Sequence, residues 1–167
     1  LSGEQKRLLG ALSVYREPIP LDAITIQGLS VDELDQLVES GLARQADSDT
    51  YDVHDLIREF LLQSLDSQSK EELHNKAVGW YQKQTDNSSV AMELIYHLIS
   101  SSRHEDAVEI VTERGRDLVK EGHIELLHLL AAIELESIKP EDACKIDRLR
   151  GEVLSLLGRF DEAEEAF

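Results

Sequence analysis

The sequence predicts a mainly α-helical chain that contains one small β-hairpin near its start and an antiparallel helical array after it. Apolar residues recur at helical spacing over most of the 167 residues. Two short alternating runs flank a polar turn at residues 47–50, which is typical of a hairpin. The composition, with 41% hydrophobic and 31% charged residues, is that of a soluble globular protein.

Residues 1–66 begin with three predicted helices. The first covers residues 2–15, and two prolines end it. A short helix is expected at residues 21–26. Ser30 and Glu33 have the spacing of a capping box and predict a third helix that ends at a glycine.

A hairpin and a closing helix complete this region. The alternating runs of the hairpin lie within residues 42–53, and Asp55 opens the next helix. Three helices, a hairpin and a closing helix match a winged-helix domain over residues 1–66. An irregular helical domain that happens to contain a hairpin is the alternative.

Residues 67–167 are predicted to contain only helices with short connections, which is typical of antiparallel pairs stacked as a tetratricopeptide-like superhelix. The predicted helices are 69–84, 88–101, 104–120, 123–136, 141–157 and a last one that starts near Asp161. A degenerate repeat pattern of small and aromatic residues is clearest at Gly158, Phe160, Ala163 and Phe167. Echoes of it occur at His104, Ala107 and Val111, and at Gly122, Ile124 and Leu127.

The charge of the chain argues against nucleic acid as a partner. The formal net charge is −17, and residues 1–66 contain thirteen acidic and five basic residues. The predicted third helix, which a DNA-binding winged helix places in the major groove, has four acidic residues and no Lys or Arg. Because phosphate contacts need donors or cations, we do not expect this surface to bind DNA.

The segment Val53-His54-Asp55-Leu56 is the most informative motif. It places a histidine where a strand ends and an aspartate where the next helix begins. Asp55 can then hold the junction by accepting backbone N–H bonds, and an imidazole at such a site suits a phosphate ligand.

This motif resembles the Met-His-Asp motif of NB-ARC ATPases, a branch of the STAND signalling ATPases, with Val53 in place of the methionine. The resemblance implies that His54 contacts the β-phosphate of bound ADP in the closed, inactive state and that Asp55 supports the local structure. The alternative is that His54 only satisfies a backbone carbonyl and packs against the hairpin.

A second resemblance covers most of residues 67–167. Segments that include His97-Leu98, 103–111, 122–131 and 158–167 are similar to the helical region of maltose-regulator-type transcription activators, which are also STAND proteins. In that class a nucleotide-binding module is followed by a winged helix and by repeats that sense an inducer. The resemblance therefore implies that residues 67–167 bind an inducer or a protein.

The chain lacks the sequence elements of an ATPase. No Gly-x-x-x-x-Gly-Lys-Ser/Thr motif occurs in it, so we expect no enzyme activity and no cofactor in this fragment, with ADP or ATP bound elsewhere in the full-length protein. The chain begins at Leu1, its only methionine is Met92 and its last helix has no stop signal. We therefore expect a fragment that is truncated at both ends.

The single Cys144, the lack of a secretory signal and the lack of a long apolar stretch favour the cytoplasm and no membrane partner.

Other candidate residues have simpler interpretations. The histidines outside the motif are scattered and are assigned surface or capping roles: His74, His97, His104, His123 and His128. Cys144 is interpreted as a small buried residue. Trp80 and Tyr81 lie on an apolar stripe and are assigned to a core. The acidic run at residues 161–165 is interpreted as a solvated helix face, with a basic peptide partner as the alternative.

The function predicted from these observations is a regulatory fragment of a STAND-type ATPase switch. The winged helix docks on an upstream nucleotide-binding module of the same protein, and the repeats sense an inducer or protein partner. Two alternatives remain open, namely a stand-alone protein–protein adaptor and a DNA-binding transcription regulator.

Overall fold

Ten α-helices and three short β-strands form within residues 1–166, which the computed structural model describes. They belong to two units, one formed by Leu1–Lys83 and one that begins at Gln84. Phe167, the last position of the predicted repeat pattern, lies outside the described residues. No helix in the described part of the chain is long and apolar enough to cross a membrane.

The first unit contains the predicted hairpin and one strand that the sequence did not reveal. Its elements are α1 (Gly3–Ser13), β1 (Ile19–Pro20), α2 (Leu21–Thr25), α3 (Leu34–Glu39), β2 (Arg44–Gln45), β3 (Thr50–Asp52), α4 (Asp55–Ser64) and α5 (Ser67–Tyr81). The three strands form an antiparallel sheet in the order β1–β3–β2. Tyr51 in the central strand lies opposite Ile19 on one side and Gln45 on the other.

Helix α1 forms the centre of this unit because its sequence combines a strong cap with an apolar stripe. The Ser2 hydroxyl accepts from the backbone N–H of Gln5, and the Gln5 side chain accepts from the backbone N–H of Ser2. Leu8, Leu9 and Leu12 are at most 1% exposed. Each buried leucine contributes about 1.5–3 kcal/mol relative to an exposed one.

The predicted start of the third helix was wrong. Helix α3 begins at Leu34, and residues 31–33 form a turn before it. The expected capping box does not form, because the Glu33 carboxylate accepts from the Ser2 hydroxyl of α1 at 2.6 Å. The Ser30 hydroxyl accepts from the backbone N–H of Asp32 instead. A tertiary contact has therefore replaced a local cap.

Helix α5 belongs to the first unit, which runs to Lys83. The Lys76 ammonium donates to the Gln27 carbonyl at 2.9 Å, and the Trp80 indole N–H donates to Asp22 Oδ2 at 3.2 Å. The Tyr15 ring lies edge-on to Trp80, with 6.5 Å between the ring centroids. Tyr81 of α5 is therefore part of the core of this unit, as predicted, whereas Trp80 is only partly buried.

The second unit consists of helix pairs. Its elements are α6 (Ser88–Ser100), α7 (His104–Lys120), α8 (Leu126–Ala132), a 3₁₀ turn (Leu135–Ser137), α9 (Pro140–Leu156) and α10 (Phe160–Ala166). The helix predicted at 123–136 is shorter because Ile133 adopts an extended conformation and buries its side chain. The bounds predicted for the other helices of this unit differ from these by one residue at most, whereas the helix predicted at 69–84 is α5, Ser67–Tyr81.

Helices α7 and α9 approach closely at one glycine. A Cβ atom added at Gly115 would overlap the Cδ2 atom of Leu149. Leu149 is 6% exposed and belongs to the core cluster of this unit. A glycine at this position lets the two helices pack without a gap.

Candidate functional site

His54 lies between the hairpin and α4, as the sequence predicted. It is the N-cap residue of α4, with φ −59° and ψ 142°, and its carbonyl accepts from the N–H groups of Ile57 at 2.8 Å and Arg58 at 2.9 Å. Its side chain is exposed and makes no capping bond. The backbone is thus fixed while the imidazole faces outward.

An ion pair in the hairpin stabilises the strand that leads to His54. Arg44 Nε donates to Asp52 Oδ1 at 2.8 Å, and the Asp52 carboxylate is only 6% exposed. This hydrogen bond and the charge of Asp52 raise the pKa of the Arg44 guanidinium, and the charge of Asp55 adds to the effect. Val53, between this pair and His54, is fully buried. The direction in which the chain leaves the sheet is therefore fixed.

Asp55 does not bond as we predicted from the sequence. It is the first residue of α4, and its carboxylate accepts from Arg58 Nη1 at 2.9 Å instead of from backbone N–H groups. This carboxylate is 85% exposed, and the Arg58 side chain is 17% exposed. Any support that Asp55 gives to the junction therefore acts through Arg58 and through its charge at a helix N-terminus.

The outer surface of α4 presents large apolar side chains next to His54. Leu56 and Phe60 are 75% and 70% exposed, and their i, i+4 spacing places them on the same side of the helix. We call this pair the α4 ridge. The opposite side of α4 packs on α1. Two exposed apolar side chains beside a projecting histidine mark this face as a candidate docking surface.

The surface that a DNA-binding winged helix would use is acidic. Helix α3 exposes Asp35 and Glu39, and the hairpin turn exposes Asp47 and Asp49. Such a surface repels phosphates.

The second unit contains the same helix turn at three places. Ser102, Gly122 and Gly158 have φ values of 59°, 90° and 72°, in the left-handed region. After each of them, the next N–H group donates to the carbonyl of a leucine five residues earlier, at 2.9–3.0 Å. These bonds close the preceding helix in the manner of a Schellman motif.

Two of these turns also match in sequence. Residues 102–107 read Ser-Arg-His-Glu-Asp-Ala, and residues 158–163 read Gly-Arg-Phe-Asp-Glu-Ala. In both, the arginine Nε donates to the acidic residue three positions on at 2.7 Å. Both alanines, Ala107 and Ala163, are at most 3% exposed. The turns that lead into α7 and α10 therefore share one local structure and one local sequence pattern.

Three of the other histidines are buried, so a surface role is wrong for them, although His104 Nδ1 accepts from the backbone N–H of Glu134 at 3.5 Å. His74, His97 and His104 are at most 8% exposed. Burial, with a smaller contribution from the charge of Lys70, lowers the pKa of His74 to about 4.

Cys144, expected to be buried, is exposed. Among residues 1–166, no group of His, Cys, Asp or Glu side chains could hold a metal ion.

Comparison with known proteins gives one similarity at the level of the fold. No protein-family model matches the chain, and no curated protein matches it. The structure is similar to that of a STAND (Signal Transduction ATPase with Numerous Domains) protein with a tetratricopeptide repeat sensor from Pyrococcus horikoshii, with a TM-score of 0.72 and 21% sequence identity. The similarity covers 99% of this chain and 25% of that chain. The chain thus has the fold of about a quarter of a much longer protein.

Proposed function

We propose that this chain is the regulatory portion of a STAND-type ATPase switch. In this proposal the first unit is a winged helix that docks on a nucleotide-binding module elsewhere in the same protein. His54 contacts the β-phosphate of ADP in the docked state, and the helical repeats bind an inducer or a protein partner. ATP hydrolysis belongs to the absent module, so this portion is not an enzyme by itself. The nucleotide and the single cysteine favour a cytoplasmic setting.

The observation that carries this proposal is the projection of His54 from a rigid junction next to the α4 ridge. A histidine that sensed a nucleotide on another module would need to be exposed, held by fixed backbone and surrounded by a surface suited to docking. His54 is exposed at the N-cap position of α4, and Leu56 and Phe60 lie one helical turn apart on the same helix. The alternative interpretation required the His54 side chain to pack within its own unit, whereas this side chain is exposed.

The arrangement of the first unit supports the winged-helix assignment. Three helices precede the β2–β3 hairpin, and the short β1 strand joins the hairpin as a third strand. The similarity in fold to a STAND protein with a repeat sensor extends over both units. It is consistent with a winged helix followed by repeats.

The charge of α3 and of the hairpin turn leaves the DNA-binding alternative without support. The adaptor alternative shares the docking surfaces but needs no nucleotide. It therefore differs from the switch in one measurable property, the dependence of bound ADP on His54.

The proposed switch works by differential affinity. A ligand on the repeats that binds the undocked state more tightly shifts the population away from the ADP-bound state. A hydrogen bond to a charged group contributes about 1.5–3 kcal/mol. Loss of the His54 contact is thus expected to weaken ADP binding by about 10- to 100-fold.

The test is a His54→Ala substitution in the protein that includes the nucleotide-binding module, with ADP release and basal signalling output as readouts. We expect faster ADP release and a higher basal output. His128→Ala, at an exposed histidine in the second unit, is the matched control and should change neither. If His54→Ala retains ADP like the parent protein, His54 has no part in the mechanism.

The α4 ridge can be tested separately with Leu56→Ser and Phe60→Ser. Because both side chains are exposed, the stability of the 167-residue chain should change by no more than about 0.5 kcal/mol. In the protein with the nucleotide-binding module, the same substitutions should accelerate ADP release. Unchanged ADP release would place the docking surface elsewhere.

A further inference from the structure

A hollow of about 630 Å³ opens on the surface of the second unit, between α7 and the segment that leads into α9. Val108 and Ile138 line its apolar part and are 3% and 9% exposed. One wall is the face of α7 that presents Glu105, Glu109 and Glu113. We call this hollow the α7 groove.

The acidic wall of the α7 groove is not neutralised by the chain itself. On the opposite wall, the Lys145 ammonium donates to Asp142 Oδ1 at 2.7 Å, and this bond raises the pKa of Lys145. By contrast, the side-chain carboxylates of Glu105, Glu109 and Glu113 form no ion pair or hydrogen bond with any residue in the described range 1–166. Of the five carboxylates that line the groove, Asp106 pairs with Arg103 and Asp142 pairs with Lys145. The three glutamates remain against the single ammonium group of Lys139, so the net charge of the groove is negative.

The three glutamates have a regular spacing. They are four residues apart on one helix, and a rise of 1.5 Å per residue separates them by about 6 Å along a single face. In an extended peptide, every second side chain lies on the same side, about 6.6 Å apart. A row of basic side chains at alternate positions of such a peptide therefore nearly matches the row of glutamates.

We propose that the α7 groove binds an extended peptide segment with Lys or Arg at alternate positions. The apolar part of the groove receives the aliphatic portions of these side chains, and the glutamates pair with their charges. The biological role of this peptide, as the partner that the repeats sense, rests on the proposed function. The peptide itself is inferred from the groove.

The neighbouring surface limits where the basic residues can lie. A smaller hollow of about 250 Å³ shares Thr112 and Lys145 with the α7 groove and also contains Arg116 and Arg148. Both arginines contact Glu152, at 3.4 and 3.5 Å. This hollow has an excess of basic groups, so the basic part of the peptide lies alongside Glu105–Glu113 and does not extend into the smaller hollow.

The test uses the whole 167-residue chain and fluorescently labelled eight-residue peptides in an anisotropy titration. One peptide alternates Lys and Thr, and the other has the same composition with four Lys followed by four Thr. We expect tighter binding of the alternating peptide and weaker binding at higher salt. Replacing Glu105, Glu109 and Glu113 with Gln should reduce the affinity by about tenfold, the effect of three exposed ion pairs.

A matched triple variant controls for the general attraction of an acidic chain to cations. Asp161→Asn, Glu164→Gln and Glu165→Gln remove the same charge from exposed positions of α10 and should leave the affinity within about twofold. If the groove triple variant loses its helical circular dichroism, the double variant Glu105→Gln/Glu109→Gln replaces it, with an expected loss of about fivefold.

Three results would overturn the proposal. The first is an equal loss of affinity in the two triple variants, which would indicate non-specific attraction. The second is equal binding of the two peptides, which would contradict the spacing argument. The third is full competition by spermidine at the peptide's own concentration, which would indicate a small polycation. No nucleotide is present in this assay, so failure here is distinguishable from failure of the His54 experiment.

Discussion

The buried imidazole of His74 should make the stability of the first unit depend on pH. Its pKa is about 4 in the folded chain, compared with 6.5 for an ordinary histidine, and burial is the main cause. The unfolded chain therefore binds a proton more readily than the folded chain. The stabilising contribution is fully present above pH 6.5 and is lost as the pH falls towards 4.

The size of this effect follows from the difference between the two pKa values. One pKa unit corresponds to about 1.4 kcal/mol, so the complete loss is about 3 kcal/mol. Between pH 7 and pH 5, the loss from His74 is about 2 kcal/mol. This is a large part of the stability of a small domain.

The assay is urea unfolding at pH 7 and pH 5, followed by tryptophan fluorescence. Trp80 is the only tryptophan and lies on the same helix as His74, so its signal reports the relevant unit. In His74→Gln, the free energy of unfolding should fall by about 2 kcal/mol less over this pH range than in the parent chain. His128→Gln should retain the parent's pH dependence. If His74→Gln and the parent lose the same free energy, the burial argument is refuted.

Two further predictions concern helix packing and helix turns. Gly115→Val should lower the free energy of unfolding by about 1–3 kcal/mol, because the valine side chain would overlap Leu149, whereas Gly79→Ala should raise it by about 1 kcal/mol, because an added Cβ contacts nothing within 4 Å. Urea unfolding measures both changes, and an unchanged free energy of unfolding in Gly115→Val would contradict the close approach of α7 and α9. Ser102→Gly should stabilise the second unit by about 1 kcal/mol and Gly158→Ala should destabilise it by a similar amount, because both residues have positive φ. Thermal unfolding followed by circular dichroism measures both changes. A change in stability of the same sign in the two variants would be inconsistent with equivalent turns.

The sequence predicted the helices of the second unit well because their apolar spacing is regular and their turns are short. Helix α7 has the predicted bounds, and α9 is displaced by one residue. The short β1 strand could not be predicted, because two residues carry no periodicity and Ile19 pairs with the distant Tyr51. Local patterns thus revealed local elements, while a pairing between distant segments remained hidden.

The errors in the first unit also have tertiary causes. Glu33 has the spacing of a capping box, yet its carboxylate bonds to Ser2 on another helix. His74 was assigned to the surface as a polar residue, although α5 buries it in a core whose extent the sequence does not indicate. At the candidate site, the position of His54 was predicted from the motif. The pairing of Asp55 with Arg58 was not, because both a backbone and a side-chain partner are compatible with that spacing.

The attachment of α5 determines where this protein can be divided for study. A recombinant piece that stopped at residue 66 would leave the Tyr15 ring without its aromatic neighbours and the Gln27 carbonyl without the Lys76 ammonium. Such a piece would expose an aggregation-prone apolar surface to water, and its thermal unfolding midpoint would be lower than that of a piece that runs to Lys83. Domain-swap chimeras should therefore be joined in the connection between α5 and α6, where no helix is interrupted.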